Sequence, residues 1–189
     1  MARPRSEDKR QAILLAATRL FAEEGLNAPT ARIAKTAGVA EGSLFTYFPS
    51  KDELLNQLYL ELKGQLREAM DPAPAQAGLR EQVRQAWLTY VAWGVAHPQE
   101  RQVLAWLGLS DRILEATRTQ GFKTFCDVSR LLEAGMAKGV LRDQPAAFVG
   151  ALMAAMADTT MDFINRDPAA AERTREAGFA AFWNAITRG

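Results

Sequence analysis

Apolar residues recur at helical spacing along nearly all of the 189-residue chain, and this periodicity constrains the fold more than any other feature. No stretch alternates apolar and polar residues with the β-branched enrichment that is typical of strands. The sequence therefore predicts an all-α protein. Glycine, proline and capping residues divide it into about nine predicted helices, at residues 7–24, 30–37, 41–48, 50–70, 77–96, 98–109, 111–138, 144–165 and 168–187.

Composition excludes several protein classes. With 48% hydrophobic residues, 24% charged residues and one cysteine, the chain is neither disordered nor a disulfide scaffold. The longest uncharged apolar run, 146–157, ends at Asp158 and is shorter than the roughly 20 residues of a membrane span. The basic N-terminus continues into charged residues, unlike a secretory signal. We therefore expect a cytoplasmic protein with no membrane partner, and leave open whether Cys126 is redox-active.

The charge is unevenly distributed along the chain. The formal net charge is +1, but residues 1–51 carry eight Lys or Arg against five acidic residues, a net of +3, and the remainder carries −2. This asymmetry indicates a basic contact surface near the N-terminus.

Residues 30–48 have the spacing of two short helices joined by a turn that contains Gly38, as in a helix-turn-helix. Ala34 lies where the helices would cross, and Gly38 suits a left-handed turn because it has no Cβ. Four apolar residues supply the inward face, namely Ile33, Val39, Leu44 and Phe48. The second helix then turns its outer side, Glu41, Ser43, Thr46 and Tyr47, toward a candidate major groove.

Two residues flanking this pair are candidates for phosphate contacts. Lys51 lies in the first turn of the next helix, where the macrodipole disfavours a cation by about 0.3–1 kcal/mol unless an anion is bound. Thr30 is predicted to be the N-cap of the first short helix, and Ser50 with Glu53 forms a capping-box pattern. Each of these residues, taken alone, also fits an ordinary cap or a solvated lysine.

Residues 9–58 resemble the DNA-binding domain of the tetracycline-repressor (TetR/AcrR) family of bacterial transcriptional regulators. The resemblance rests on three groups of residues: Ile13, Leu14, Ala16, Ala17, Leu20, Phe21 and Gly25; then Thr30, Ile33, Ala34, Ala37, Gly38 and Val39; then Gly42, Ser43, Leu44, Phe45, Tyr47, Phe48, Lys51, Leu54 and Leu55. It implies a homodimer on a pseudo-palindromic double-stranded operator, with a C-terminal domain that binds a small effector.

The resemblance also implies a domain organisation and a set of DNA contacts. The helix-turn-helix domain would cover residues 1–53, a linking helix 51–70, and the effector-binding and dimerisation domain 54–189, with a seam at 71–75. Phe45 departs from the Tyr that is usual in the family, so it would make an apolar contact instead of a hydrogen bond. The expected DNA-binding residues are Thr30, Glu41, Gly42, Ser43, Phe45, Thr46, Tyr47 and Lys51.

The effector site is less distinct in the sequence. Aromatic residues and methionines recur on the helices that line the cavity in this family, and ordinary core packing is the alternative for each of them. Asp158 would recognise a cation or an amine, or else mark a solvent-facing stripe. The candidate effector-binding residues are Trp87, Trp93, Trp106, Phe122, Phe125, Met156 and Asp158.

The last two predicted helices carry apolar stripes that suggest a dimer interface. The stripes are Phe148, Ala151, Leu152 and Ala155 on one helix, and Phe179, Phe182, Trp183 and Ile186 on the other. A monomer with both stripes uncovered would expose an apolar patch.

The sequence favours a ligand-responsive DNA-binding regulator, with repression the expected mode. One alternative is a regulator without a small-molecule effector that responds to a protein. The other is a small helical enzyme, which is disfavoured because the sequence shows no nucleophile with a base, no metal-ligand cluster and only one histidine. No cofactor or metal is expected. The effector, the operator sequence and the choice between repression and activation are not encoded in any motif.

Overall fold

The computed structural model describes residues 4–70 and 77–188, and over these residues it contains ten α-helices, one short 3-10 turn at Pro168–Ala170 and no strand. The all-α prediction is confirmed. The predicted seam at 71–75 lies outside the described residues. The helices are α1 Pro4–Glu24, α2 Thr30–Thr36, α3 Glu41–Tyr47, α4 Lys51–Ala69, α5 Leu79–Ala96, α6 Pro98–Leu109, α7 Glu115–Lys123, α8 Cys126–Ala137, α9 Ala146–Arg166 and α10 Ala171–Ile186.

The single helix predicted at 111–138 is instead a loop followed by two helices, α7 and α8. The guanidinium of Arg118 donates hydrogen bonds to the carbonyl oxygens of Gly108 and Ser110, which holds residues 110–114 outside a helix. Between the two helices, the Phe125 amide donates to the Phe122 carbonyl at 2.9 Å, closing a turn of three residues instead of four. The β-branched Thr124, a weak helix former, lies in this turn.

The chain forms two compact units. The first comprises residues 1–64 and 98–121, in which α6 packs against α1. Its buried apolar core is drawn from α1, α4 and α6 and includes Ile13, Ala17, Phe21, Leu54, Leu55, Leu58, Val103 and Leu107. A functional boundary after residue 53 stays a prediction, and the structure adds that residues 98–121 pack with the N-terminal part of the chain.

The second unit comprises residues 65–97 and 122–189, and its core is centred on Trp87. The Trp87 indole stacks on Phe182 with 5.5 Å between ring centroids, and it also contacts Phe179 at 6.5 Å. At Gly178, a Cβ would overlap the Thr160 side chain and lie 2.8 Å from Trp87. The backbone of α10 therefore packs directly on these two side chains, and only glycine leaves them room.

The predicted dimer stripe on α10 is wrong for three of its four residues. Phe179, Phe182 and Ile186 are each 1% exposed and belong to the core of the second unit, because α10 packs against α5 and α9 of the same chain. Helical periodicity shows that a stripe is buried and does not show which helix buries it. On α9, by contrast, Phe148 is 54% exposed and Ala151 is also at the surface.

Among the described helices, α9 alone has the length and apolar composition of a helix that crosses a membrane. Core helices of soluble proteins pass the same test, so the finding is weak evidence for a span. The helix extends beyond the uncharged run considered above, through Asp158 to Arg166. The absence of a membrane partner stays a prediction.

Candidate nucleic-acid interface

The turn between α2 and α3 is built on Gly38. Its φ of +69° lies in the left-handed region, which a residue with a Cβ enters only at a cost. The Val39 amide donates to the Ala34 carbonyl at 3.0 Å, and the Gly38 amide donates to the Lys35 carbonyl at 3.2 Å. These two bonds form the Schellman pattern that ends a helix, so the predicted role of Gly38 is confirmed.

A buried apolar face holds the two short helices together. Ile33, Leu44 and Phe48 are fully buried, and Val39 is half-buried in the turn. Ala34 is 1% exposed on α2, where a small side chain lets the helices approach. The inward face predicted from the sequence is therefore present, and it leaves the opposite side of α3 at the surface.

The outer side of α3 carries the predicted base-reading residues. Glu41, Gly42, Phe45 and Thr46 are exposed, whereas Ser43 and Tyr47 are half-buried. The Phe45 ring is 39% exposed, which places an apolar side chain on a polar surface. This face is short, two helical turns, and its side chains mix apolar, hydroxyl and carboxylate groups. Their contacts with DNA stay a prediction.

Thr30 is not the N-cap that the sequence suggested. Pro29 occupies that position with extended backbone, and its carbonyl accepts hydrogen bonds from the amides of Arg32 at 3.0 Å and Ile33 at 3.2 Å. Thr30 is instead the first residue of α2, and its hydroxyl donates to Glu41 Oε1 at 3.2 Å. This bond joins the start of α2 to the start of α3, and it orients the Glu41 carboxylate.

Ser50 does cap α4. Its Oγ accepts a hydrogen bond from the Glu53 amide at 3.0 Å, as the capping-box pattern predicted. The Glu53 carboxylate accepts from Gln57 Nε2 at 2.9 Å, on the next turn of the helix. The start of α4, and with it Lys51, is therefore fixed by a side-chain cap.

Lys51 is the first residue of α4, and its ammonium is held by the first unit itself. Its Nζ donates to the Ala28 carbonyl at 2.8 Å and lies 5.9 Å from the centroid of the Phe21 ring. Burial, and secondarily the charge of Arg112, lowers the pKa of Lys51, while Asp52 acts in the opposite direction. An anion placed against the ammonium would favour its charged form and oppose both lowering effects.

A polar cluster that no sequence pattern predicted begins at Asp52, the neighbour of Lys51. Arg112 Nε and Nη2 each lie 2.6 Å from Asp52 Oδ1. Asn56, only 4% exposed, donates from Nδ2 to the Arg112 carbonyl and accepts from the Leu114 amide, both at 3.0 Å. The one available signal was an asparagine set among the leucines of α4, because its partners lie 56 and 58 residues away in the sequence.

In the second unit, the two predicted effector-binding tryptophans of α5 are buried. Trp87 is 0% exposed, and its Nε1 donates to the Arg175 carbonyl at 3.3 Å. Trp93 stacks on Tyr90 at 6.4 Å and on His97 at 5.6 Å between ring centroids. Both rings have packing partners within the chain, which is the alternative that the sequence left open.

The remaining effector candidates are dispersed. Met156 packs against the core cluster that contains Trp87, and Asp158 is half-buried on the same helix, α9. Phe122 is exposed and Phe125 half-buried, at the end of α7 and in the turn that follows it. Trp106 lies on α6 and belongs to the first unit. The structure thus brings Trp87 and Met156 together, and the effector site stays a prediction.

A reactive cysteine and a metal centre are two other kinds of functional site. Cys126 is exposed at the first residue of α8. Within residues 4–70 and 77–188, no group of three or more His, Cys, Asp or Glu side chains is placed to hold a metal ion.

Comparison with known proteins places the helix-turn-helix in a family. Residues 13–58 match the sequence profile described as bacterial regulatory proteins, tetR family. This segment contains α2, α3 and the first turns of α4.

The similarity extends over the whole chain in a solved structure. A crystal structure described as that of a tetR family transcription regulator from Shewanella sp. PV-4 is 30% identical, with a TM-score of 0.87. The alignment covers 96% of this chain and 99% of that one.

Two curated proteins of Bacillus subtilis (strain 168) match over shorter segments. The uncharacterized HTH-type transcriptional regulator YhgD is 37% identical over 73 residues, 36% of this chain and 38% of that protein. The fatty acid metabolism regulator protein is 40% identical over 60 residues, 31% of each chain. The chain thus spans about a third of the length of these curated relatives. The profile match and the end-to-end similarity at 30% identity show that the chain belongs to the tetR family of bacterial regulatory proteins.

Proposed function

We propose that this protein is a cytoplasmic transcriptional repressor that binds a pseudo-palindromic operator as a homodimer and is released by a small, mostly apolar effector. The observation that carries the proposal is the exposed outer face of α3, whose opposite face is buried in the first unit. Lys51, at the start of the next helix, has its ammonium fixed by a hydrogen bond to the Ala28 carbonyl. YhgD and the Shewanella protein, two of its relatives, are described as transcription regulators.

The surface of α3 has the size and chemistry of a major-groove reader. An α-helix fits the major groove, and residues near its N-terminus reach the base edges. Phe45 would contact a thymine methyl group, and Glu41, oriented by Thr30, would accept a hydrogen bond from cytosine N4. Thr30, through its backbone amide at the start of α2, and Lys51, through its ammonium at the start of α4, would contact phosphates and set the register of α3 on the duplex.

Dimerisation supplies the symmetry that such an operator requires. Two reading helices must meet major grooves about 34–36 Å apart, and a two-fold axis satisfies this spacing with one surface used twice. The exposed apolar residues of α9 would form that surface, and they are Phe148, Ala151, Ala155 and Phe163. Leaving them open to water in a monomer would be unfavourable.

The proposed effector would bind in the second unit. The residues offered for it are predominantly aromatic or thioether side chains, which suit an apolar compound, and Asp158 would add one polar contact. Effector binding would favour a dimer whose reading helices are wrongly spaced for successive grooves, and DNA affinity would fall by the difference in effector affinity between the two states.

The DNA part of the proposal is tested with Lys51→Ala. Removing one phosphate contact should weaken binding to every duplex and reduce the slope of log affinity against log salt by about 1. Fluorescence anisotropy titrations at several salt concentrations measure both. Lys138→Ala removes an exposed lysine of the second unit and should leave both values unchanged. Unchanged affinity and slope in Lys51→Ala would show that the phosphate contact is wrongly assigned.

The effector part is tested on the same complex. Compounds that raise the melting temperature of the free protein are added to the protein bound to operator fragments selected from genomic DNA. A repressor of the proposed kind dissociates when such a compound is added. If the stabilising compounds leave the complex intact, effector-driven release is contradicted.

A further inference from the structure

We propose that Arg112, on the loop between α6 and α7, is a positioning residue for DNA binding, which neutralises Asp52 so that the adjacent Lys51 can hold a phosphate. The inference rests on the proposed function, in which Lys51 contacts DNA. It extends the DNA-binding determinants to a residue that lies about 60 positions beyond the helix-turn-helix and makes no base contact.

The loop that carries Arg112 is fixed on α4. Asn56 binds the loop backbone on both sides of Ile113, through the Arg112 carbonyl and the Leu114 amide, and Ile113 itself is 3% exposed. A buried amide that satisfies two backbone groups is costly to displace, because each lost partner leaves a buried polar group unsatisfied. Arg112 therefore projects from a loop with one preferred position.

The other end of the loop is fixed as well. Arg118 donates to the Ser110 carbonyl at 2.6 Å, and the Arg112 amide donates to Ser110 Oγ at 3.2 Å. The loop is thus tied to α4 by Asn56 and to α7 by Arg118. This arrangement holds the guanidinium of Arg112 at a fixed place beside the first turn of α4.

The Arg112–Asp52 pair is partly exposed, so its direct contribution to folding stability is small. Exposed ion pairs typically contribute about 0–1 kcal/mol. The Asp52 carboxylate already has a favourable position in the first turn of α4, near the positive end of the helix dipole. Folding stability alone therefore does not explain why two nitrogen atoms of the Arg112 guanidinium contact one oxygen of the Asp52 carboxylate.

The Arg112–Asp52 pair is expected to affect DNA binding more than folding stability. Asp52 is the sequence neighbour of Lys51, and Arg112 Nε lies 2.6 Å from the Asp52 carboxylate; the two charges act in opposite directions on the pKa of Lys51, which Arg112 lowers and Asp52 raises. Without Arg112, the carboxylate would repel the phosphate that Lys51 binds. Because the screening length is about 8 Å at physiological salt, charges this close are only partly screened. Arg112 removes that repulsion.

A double-mutant cycle on the full-length protein tests the inference. The proteins are the wild type, Arg112→Ala, Asp52→Asn and the double variant, and the probe is a fluorescein-labelled 30-base-pair duplex of random sequence, bound mainly through its phosphates. We expect Arg112→Ala to weaken binding by about three- to tenfold. Asp52→Asn should strengthen binding by a similar factor, and the double variant, which lacks both charges, should bind with wild-type affinity, because the two charges act additively on the phosphate.

Two further variants separate charge from structure. Arg112→Lys keeps the charge and should retain most of the affinity. Arg130→Ala removes a guanidinium from an exposed pair of the second unit, Arg130 with Asp127, and should leave binding unchanged. Melting temperatures of all variants are measured alongside, and the affinity loss in Arg112→Ala should persist at temperatures where every variant is folded.

The outcomes distinguish this inference from the proposed function. Unchanged binding in Arg112→Ala, with a clear loss in Lys51→Ala, would overturn the role of Arg112 and leave the phosphate contact of Lys51 intact. A double variant that binds as weakly as Arg112→Ala would overturn neutralisation, because the loss would then not come from the uncovered carboxylate, and it would make Arg112 a direct phosphate ligand. Loss of affinity in Lys51→Ala is the separate criterion for the proposed function.

Discussion

Phe45, a predicted DNA-contact residue, and Trp87, a predicted effector-contact residue, occupy opposite kinds of environment. On α3 the candidates project from a helix whose other side is buried, and Phe45 is 39% exposed. On α5 the candidate Trp87 is 0% exposed and stacks on Phe182 in the core. On α3 the exposed candidate Phe45 is therefore separate from the buried side chains that maintain the fold, whereas at Trp87 one side chain would have to serve both purposes.

This difference determines how substitutions can be interpreted. A change on the outer face of α3 should alter DNA binding with little effect on folding, so a binding defect is informative. A change at Trp87 removes core contacts, and a loss of effector response would also follow from loss of structure. Three pairs of substitutions test whether the two regions differ in this way, in order of decreasing expected effect on stability.

The largest effect is expected for Trp87→Ala. Removing a fully buried indole from the Phe179 and Phe182 cluster should lower the free energy of unfolding by about 3–5 kcal/mol. Urea titrations followed by circular dichroism measure this value. The matched control is Phe45→Ala, which should stay within about 0.5 kcal/mol of the wild type. If Trp87→Ala changes the free energy of unfolding only slightly, the indole borders open space, and Trp87 and Phe45 do not differ in their importance for the fold.

A second comparison uses glycines in helices of the two units. Gly178→Ala places a Cβ against Thr160 and Trp87, and it should destabilise by about 1–3 kcal/mol. Gly64→Ala, on α4, meets nothing within 4 Å and should stabilise by up to about 1 kcal/mol, because alanine favours helix. Thermal unfolding of both variants measures the difference. Equal melting temperatures would show that α10 can move away from its neighbours at little cost.

The smallest effects are expected at two hydroxyl residues of the first unit. Ser50→Ala removes the cap of α4 and should cost about 1 kcal/mol. Thr30→Ala removes only an exposed bond to Glu41 and should cost less than about 0.5 kcal/mol while weakening DNA binding. Chemical unfolding and anisotropy titrations, run on both variants, separate the two roles. If Thr30→Ala lowers the free energy of unfolding more than Ser50→Ala does, the main role of Thr30 is to stabilise the fold and not to bind DNA.

Features that depend on neighbouring residues were predictable from the sequence. The end of α2 at Gly38, the inward face of α3 and the cap at Ser50 each follow from residues within a few positions, where local sterics and hydrogen bonds decide. The periodicity of α10 was also read correctly as an apolar stripe. The helices that bury this stripe were predicted wrongly, because α5 and α9 of the same chain cover Phe179 and Phe182. The pattern of a single helix does not identify the helix that covers it.

Features that depend on residues far apart in the sequence were not predictable from it. The break before α7 requires Arg118 to bind carbonyls 8 and 10 residues earlier, and the cluster of Asn56 and Arg112 joins segments 56 residues apart. Thr30 was misassigned for a related reason. Its hydroxyl is an equally good donor to a side chain from another helix, and the fold places Glu41 within reach.

The hydrogen bond from Lys51 to the Ala28 carbonyl has a consequence for the entropy of DNA recognition. A free lysine side chain loses up to about 2 kcal/mol of rotamer freedom when it is immobilised. Here Nζ is held at 2.8 Å from Ala28 in the unbound protein, so that loss occurs on folding and not when a phosphate arrives. An ammonium has three N–H donors, and one bond to the backbone still leaves donors for an anion. The phosphate contact proposed for Lys51 would therefore cost little further side-chain entropy.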